Sequence, residues 1–307
     1  MGLQPPTSAT PVEDLESADS AVDTVDLAED SRRSVMVDAL VEAMESLPAN
    51  PTAAMQVMWL ADGAKTDANA LANAIELDPG LTARVLRLAN SAFYSPYGSV
   101  SSVSRAVVNV GFSTVKALAT AALTGLDTAP ELPVDFWEHA AKVAHAASQV
   151  ARHFGAPGKD TFALGLLHDV GEGLLCTIDT ASWRNIEATT TPMTNERLAA
   201  EVSAFGMTHA EVAGRVLDAW KLPRELVRTI YDHHRAPSSD REMTPLALAL
   251  AAGESIAELY CDEPDPARAS KLRFDLERSG LAADFLDRIG PRLVIETATL
   301  TEALAGE

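Results

Sequence analysis

Apolar side chains recur every three to four positions along nearly all of the chain after residue 33, which is the spacing of amphipathic helices. In one such stripe, Leu81, Val85, Leu88 and Ala89 stand at i, i+4, i+7 and i+8. We find no segment with the alternating apolar and polar residues of a half-buried strand. The pattern predicts an all-α protein, a multi-helix bundle.

Residues that cap helices mark several of the predicted starts. Asp78 stands before a proline at the first helical position. Two further segments have the form of capping boxes, one with Asp135 and Glu138 and the other with Thr208 and Glu211. We expect a long helix after the first box and a shorter helix after the second.

One apolar stretch ends in an adjacent histidine and aspartate, His168-Asp169. We expect a buried helix that is capped by Asp160 and terminated by Gly171. Neighbouring side chains on a helix point about 100° apart. The two side chains can therefore act together only on a shared partner that is also contacted by other helices. A metal ion is the natural candidate. The alternative is a histidine that bonds the last carbonyls beside a solvated aspartate.

Composition divides the chain into parts. The first 31 residues hold eight acidic residues and no Lys or Arg, so this segment cannot bury enough apolar surface to fold alone. A proline-containing connector near residue 131 separates two helical halves, and a break is expected in the last helix at Gly290-Pro291. The predicted parts are a disordered acidic tail (1–33), a main domain (34–262) with an N-terminal helical half (34–130) and a second half (131–262), and a C-terminal helical extension (263–307).

The charge of the chain argues against nucleic-acid binding. The formal net charge is −20, of which the eight acids of the tail leave −12 for the remainder. Nucleic-acid-binding proteins usually carry a basic footprint. A helix–glycine–helix arrangement around Gly111 has the outline of a helix-turn-helix, but its nearby cations are Arg105 and Lys116 alone. We therefore expect no nucleic-acid partner.

The sequence also predicts the compartment. No run of about 18 uninterrupted apolar residues occurs, and the N-terminus lacks the basic and apolar segments of a secretory signal. Cys176 and Cys261 lie 85 positions apart in predicted helices, which indicates reduced thiols. We expect a cytoplasmic protein with no membrane partner.

Five of the seven histidines fall at predicted helix starts or ends in the second half, and a helix start favours the neutral imidazole that binds metals. Each alone has an ordinary explanation, such as a first-turn residue or a protonated residue that complements a helix C-terminus. Together with Asp169 they fit one metal site assembled from facing helices, whereas His145 and His153 lie elsewhere on their helix. The set is His139, His168, His209, His233 and His234.

The order of His139, His168-Asp169 and a later carboxylate resembles the HD superfamily of metal-dependent phosphohydrolases. His209 and the His233-His234 doublet resemble its HD-GYP subgroup, which splits cyclic dinucleotides. Several other segments, in the family's order, are similar to the HDOD domain over roughly residues 40–260. These segments are Leu47-Pro48, Leu77–Leu81, Arg84–Tyr94, Val110-Gly111, Phe136–His139 and Trp220–Pro223.

The resemblance implies a bacterial signalling module with an HD-like fold. HDOD domains are mostly regarded as output modules without demonstrated catalysis, and many have lost the metal ligands. Here the resemblance implies a site for Fe, Mn or Zn, with Asp135 at the position of the first HD-GYP carboxylate. The last ligand is Glu254, or Gly253 if the alignment shifts by one residue. The implied metal ligands are His139, His168, Asp169, His209, His233, His234 and Glu254.

Two departures from the active enzymes bear on catalysis. Glu172 stands where active HD enzymes often have Lys, and residues 235–239 replace the GYP loop. Phosphoryl transfer needs charges that neutralise a developing anion, and the nearby cations that the sequence offers are Lys142 and Arg235. The candidate catalytic residues are therefore Asp169 and Lys142.

We expect a signalling or regulatory module that acts through protein or ligand binding, with a structural or regulatory metal. The alternative is a metal-dependent phosphohydrolase or phosphodiesterase of the HD or HD-GYP type. The expected partners are signalling proteins or a small nucleotide. A homodimer is left open, because apolar stripes do not distinguish a dimer face from the core.

Overall fold

The computed structural model describes residues 53–61, 66–95, 99–126, 129–133, 135–220, 222–234, 243–262 and 264–305. The predicted tail, Leu47-Pro48 and Arg235 lie outside these residues. Every regular element in the described part of the chain is a helix, so the predicted all-α class is confirmed. The helices are α1 (Ala53–Ala61), α2 (Ala68–Ile75), α3 (Pro79–Asn90), α4 (Val103–Val110), α5 (Phe112–Thr124), α6 (Phe136–Phe154), α7 (Gly158–Leu167), α8 (Val170–Ile178), α9 (Thr180–Thr189), α10 (Asn195–Phe205), α11 (His209–Ala219), α12 (Arg224–Asp232), α13 (Pro245–Cys261), α14 (Pro266–Arg278) and α15 (Ala283–Ala305).

Two of the predicted caps form as expected. The carboxylate of Asp78 accepts hydrogen bonds from the backbone N–H groups of Gly80 and Leu81 at 2.9 and 3.0 Å. Thr208 and Glu211 form both bonds of a capping box at the start of α11. These bonds satisfy backbone donors that have no partner inside the helix.

Two other predicted caps are wrong. Asp135 precedes α6 but forms no side-chain cap bond. Helix α7 begins at Gly158 after Pro157, so Asp160 lies inside the first turn. Its carboxylate instead accepts a hydrogen bond from the hydroxyl of Ser113 on α5. The local sequence at Asp160 has the form of a helix cap, but the side chain forms a tertiary contact with Ser113 instead.

Helix α6 is the central helix of the second half, and α7, α13 and α15 pack around it. Its buried positions are mostly alanine, which allows close approach of the neighbouring helices. A Cβ on Gly165 of α7 would lie 2.5 Å from the Cα of Ala144, so this crossing requires glycine. One continuous core cluster extends from Ala54 to Leu300 and joins α1–α5 to the second half.

His168 and Asp169 form the link between α7 and α8. Gly171 does not terminate α7 as predicted but lies in the first turn of α8, where a Cβ would stand 1.9 Å from the carbonyl oxygen of His209. By length and composition the stretch Gly158–Ile178 could cross a membrane, and the sharply bent pair of α4 and α5 passes the same test. In this fold 78% of the apolar window of Gly158–Ile178 is buried, so it serves as core.

The predicted break at Gly290-Pro291 is wrong. Helix α15 continues through Pro291. A Cβ on Gly290 would lie 2.4 Å from the ring of Tyr260, so glycine here lets α15 lie directly against α13. This close packing offsets the backbone hydrogen bond that proline removes. Residues of the predicted C-terminal extension thus pack on α6 and α13.

His145 is buried away from the other histidines, as the sequence predicts. Its ring lies against Phe93, and its Nε2 is 3.2 Å from a carboxylate oxygen of Glu296 on α15. Burial lowers the pKa of His145 to about 4; the charge of Glu296 opposes this shift and that of Arg292 adds to it. The native state therefore holds this imidazole neutral at pH values where the unfolded chain is protonated.

This difference in pKa predicts acid destabilisation. The stabilising contribution of neutral His145 is complete above its unfolded pKa of 6.5 and is lost as the pH falls toward about 4. The wild type should lose unfolding free energy as the pH falls from about 7 to about 5. In His145→Leu this loss should be smaller by about 2 kcal/mol, because the variant has no imidazole to protonate. Urea unfolding at the two pH values measures this change. The exposed His153 provides the control His153→Leu; an equal change in both variants would contradict the prediction.

Candidate metal centre

The sequence-predicted ligands lie together at one end of the second half. His139 is in the first turn of α6, His209 opens α11 and Glu254 lies in α13. His168-Asp169 form the α7–α8 link, and the His233-His234 pair directly follows α12. The helices bring these side chains together from positions 115 residues apart in the sequence, His139 to Glu254.

The carboxylate of Asp169 lies between two pairs of imidazoles. Its Oδ2 is 3.0 Å from Nε2 of His168 and 3.4 Å from Nε2 of His139. Its Oδ1 is 3.4 Å from Nε2 of His233 and 3.6 Å from Nε2 of His209. Two ligand groups therefore share Asp169, and within each group the ligand atoms lie within 4.8 Å of one another. This geometry accommodates one ion on each side of the carboxylate.

Three of the imidazoles are oriented by a partner on Nδ1. His168 and His233 direct Nδ1 at the backbone carbonyl three residues earlier, at 2.8 and 2.5 Å. Nδ1 of His209 lies 2.9 Å from both carboxylate oxygens of Glu201, which is fully buried. When Nδ1 donates its proton in this way, Nε2 is the nitrogen available to bind a metal ion beside Asp169. Metal-binding histidines typically have such an outer partner.

Several buried polar atoms at the centre have no hydrogen-bond partner among the described residues. They are Oδ1 of Asp169, Nε2 of His233 and Oε1 of Glu254. In addition, the Nε2 atoms of His209 and His234 face each other at 2.9 Å. Buried polar atoms are costly when unpaired, and all of these are good ligands for a transition metal. The donor set therefore fits a divalent ion.

The structure places Glu254, not Gly253, at the centre. Oε1 of Glu254 is 3.9 Å from Nε2 of His168. Gly253 faces α6 instead, where a Cβ would lie 2.5 Å from the Cβ of Ala147. Glycine at this position lets α13 approach α6 closely, and the next residue then points at the histidines.

The centre opens into a cavity of about 550 Å³. The size is within the range of small-molecule sites. Asp135 and Lys142 also line this cavity. The ammonium group of Lys142 is already bonded to Glu138 at 2.9 Å and to Asp262 at 3.0 Å. The candidate Lys142 is thus at the cavity wall with its charge paired, and the candidate Arg235 lies outside the described residues.

Carboxylates determine the protonation of the centre in the absence of an ion. Burial lowers the pKa of His139 and of His209, but Asp169 and Glu201 respectively outweigh burial and raise both pKa values to about 9. The sequence predicted neutral imidazoles from the helix dipole. The carboxylates favour the protonated form instead, because they lie in direct contact with these two imidazoles. Burial raises the pKa of Glu172 to about 7, and the charge of Asp169 adds to this shift. Protons and metal ions therefore compete for these imidazoles.

Two residues of the site were missed by the sequence interpretation. Glu201 orients His209 from eight positions earlier in the chain, and buried Arg197 lines the cavity wall. Both are on α10, a helix that carried no predicted role. Their short-range sequence context is that of an ordinary amphipathic helix, so neither had a local signal.

Comparison with known proteins shows the family of this chain. The HDOD domain model matches residues 47–236, which is more than half of the chain. The chain belongs to the HDOD domain family. An uncharacterised protein of Treponema pallidum (strain Nichols) is 23% identical over 223 residues, 69% of this chain. The match spans 42% of that longer relative.

Solved structures share the HDOD fold. A protein of Shewanella amazonensis SB2B, named as a candidate phosphohydrolase, is 27% identical with a TM-score of 0.66, covering 87% of this chain and 98% of that one. A candidate signal transduction protein of Marinobacter aquaeolei VT8 is 22% identical, with a TM-score of 0.63 and coverage of 90% and 66%. An HDOD protein of unknown function from Geobacter sulfurreducens is 21% identical, with a TM-score of 0.61 and coverage of 89% and 98%.

Glu201→Gln should weaken metal binding without unfolding the protein. The amide keeps an acceptor for Nδ1 of His209 but removes the charge that holds the imidazole, so we expect a loss of metal affinity of about tenfold. Competition with a chelator of known affinity measures this loss. Glu196→Gln, an exposed acid on the same helix, is the matched control and should leave the affinity unchanged. Equal affinity in all three proteins would contradict the orienting role of Glu201.

Gly171→Ala should disturb both stability and the centre. The added methyl group would overlap the carbonyl oxygen of His209, so α8 and α11 must separate, and overpacking of this kind costs about 1–3 kcal/mol. Thermal unfolding with and without added metal measures the change. Gly158→Ala is the control, because its Cβ would meet Ser148 O at an ordinary 3.5 Å. A Gly171→Ala protein as stable as this control would refute the tight contact.

Proposed function

We propose that this protein is a metal-dependent, ligand-sensing HDOD module of a signalling system. In this proposal His139, His168, His209, His233, His234, Asp169 and Glu254 hold one or two divalent ions of the Fe, Mn or Zn class. The cavity above them receives a small anionic ligand, and the ligand-bound state is recognised by partner proteins.

The convergence of unpartnered buried donors carries this proposal. Oδ1 of Asp169, Nε2 of His233 and Oε1 of Glu254 are buried at the centre, and none has a hydrogen bond among the described residues. If these side chains served only for packing, their unpaired buried atoms would destabilise the fold without any compensating interaction. A bound divalent ion supplies the positive charge and the open coordination positions that an anionic ligand requires.

A metal-dependent phosphohydrolase is the second candidate. It is favoured by the opening of the centre into a cavity, because structural metal sites are closed whereas catalytic ones keep an open position. The Shewanella protein named as a candidate phosphohydrolase also has 27% identity to this chain. Against it, Glu172 lies beside the centre where a cation is expected, and Lys142 is paired with two acids. Ligand binding therefore ranks above hydrolysis.

Metal analysis of the purified chain tests the proposed function. Wild type is expected to retain at least about one Fe, Mn or Zn ion per chain, and His168→Ala and Asp169→Ala should each lose it, because each removes a ligand of the shared centre. His153→Ala, a histidine far from the centre on the same helix as His139, is the control. Wild-type protein without metal, and with none taken up on addition, would refute the proposal.

A hydrolysis assay separates the two candidates. The metal-loaded wild type is incubated with cyclic dinucleotides and a chromogenic phosphodiester. Turnover that disappears in both the His168→Ala and Asp169→Ala proteins would establish the phosphohydrolase. Retained metal with no turnover supports the sensing module.

A further inference from the structure

Arg197 is a buried cation at the wall of the cavity. It lies in the first turn of α10, where its backbone N–H is bonded to the capping hydroxyl of Thr194 at 3.2 Å. The residue is 5% exposed, yet it lines the same cavity as His168, Asp169 and His209. Arginine is rarely buried to this extent unless its charge has a partner.

The side chain is held in a fixed position. Its Nε donates a hydrogen bond to the hydroxyl of Thr190 at 2.8 Å. The guanidinium carbon lies 5.6 Å from the ring centre of Trp183, which is fully buried. A guanidinium that stacks on an aromatic ring and is bonded through Nε presents its outer nitrogens in a fixed direction.

The outer nitrogens are left available. Among the described residues the nearest acid is Glu172, whose Oε1 is 3.9 Å from Nη1, beyond hydrogen-bond distance. No described residue forms a hydrogen bond with Nη1 or Nη2 of Arg197. By contrast, the other cation at the cavity wall, Lys142, has two carboxylates at about 3 Å. Of the described lysine and arginine residues that line the cavity, Arg197 is therefore the one whose outer nitrogens are available to a ligand.

The charge of the cavity restricts which ligand can use these donors. Seven acids line the cavity against one lysine and one arginine, so bound metal ions would be needed to make the centre attractive to an anion. A guanidinium matches phosphate with two parallel hydrogen bonds. The lining acids are Asp135, Asp169, Glu172, Glu187, Glu254, Glu258 and Asp262.

We propose that Arg197 is the residue that recognises a phosphate group of the ligand, opposite the metal ions. This inference rests on the proposed function, because the phosphate would lie between the bound ions and the guanidinium. The ligand class is a phosphate-containing small molecule, and Arg197 acts as a binding residue that makes no contact with the metal.

Calorimetric titration of inorganic phosphate into the Mn²⁺-loaded full chain tests this role. We expect saturable binding to the loaded wild type and none to the metal-free protein. Arg197→Gln should weaken phosphate binding about 10- to 100-fold, the value of charge-assisted hydrogen bonds, with its metal content unchanged. Arg184→Gln, an exposed arginine on the neighbouring helix α9, is the matched control and should bind phosphate as the wild type does.

Arg197→Lys covers the case in which the glutamine variant does not fold. It keeps the charge but not the planar pair of donors, so its phosphate affinity should fall between those of wild type and Arg197→Gln. Loaded wild type that does not bind phosphate, or an arginine variant with unchanged affinity, overturns the inference while the metal centre stands. Loss of metal from the Arg197 variants overturns it as well. A wild type that takes up no metal refutes the proposed function first.

Discussion

The site depends on one partly buried carboxylate with imidazoles on both sides. Asp169 is within 3.6 Å of four imidazole nitrogens that come from α6, the α7–α8 link, the start of α11 and the end of α12. These helices are brought together by packing elsewhere, since a core that extends from Ala54 to Leu300 fixes their positions. The fold thus holds several buried polar atoms together that have no hydrogen-bond partner among the described residues. An ion is the simplest group that makes such an assembly favourable.

Glycine and alanine determine how closely these helices approach. Gly165 lets α7 cross α6, Gly171 admits the carbonyl of His209 and Gly253 lies against Ala147. At each of these positions a Cβ would overlap an atom of the neighbouring helix. Close helix crossings therefore bring the residues next to these glycines, such as Glu254, within reach of the imidazoles. The same close helix crossings therefore determine both the packing of the small residues and the geometry of the candidate centre.

The helical class was predicted correctly because it depends on local patterns. The histidines at helix ends were expected to converge and they do lie together, whereas their binding of metal stays a prediction. Apolar spacing marks helices, and histidines at helix ends mark a shared site when five of them occur together. The sequence interpretation was wrong for Gly171, taken as a helix terminator, and for Asp160, taken as a cap. In both cases a contact with a distant helix, at His209 and Ser113 respectively, determined the role. Glu201 was missed for the same reason, since only the fold shows which imidazole it meets.

The acidity of the cavity has a consequence for sensing. In the proposed function, the lining carboxylates would disfavour an anionic ligand in the metal-free protein, and bound ions would reverse the local sign of the charge. Metal and anion would therefore bind with positive coupling, and linkage requires each to strengthen the other by the same factor. Glu172 would contribute to this coupling in the proposed module, because its carboxylate, 3.9 Å from Arg197, disfavours an anion there until an ion is bound. The same acid that is unfavourable for phosphoryl transfer would thus suit the proposed module, which would respond only when metal and ligand are both bound.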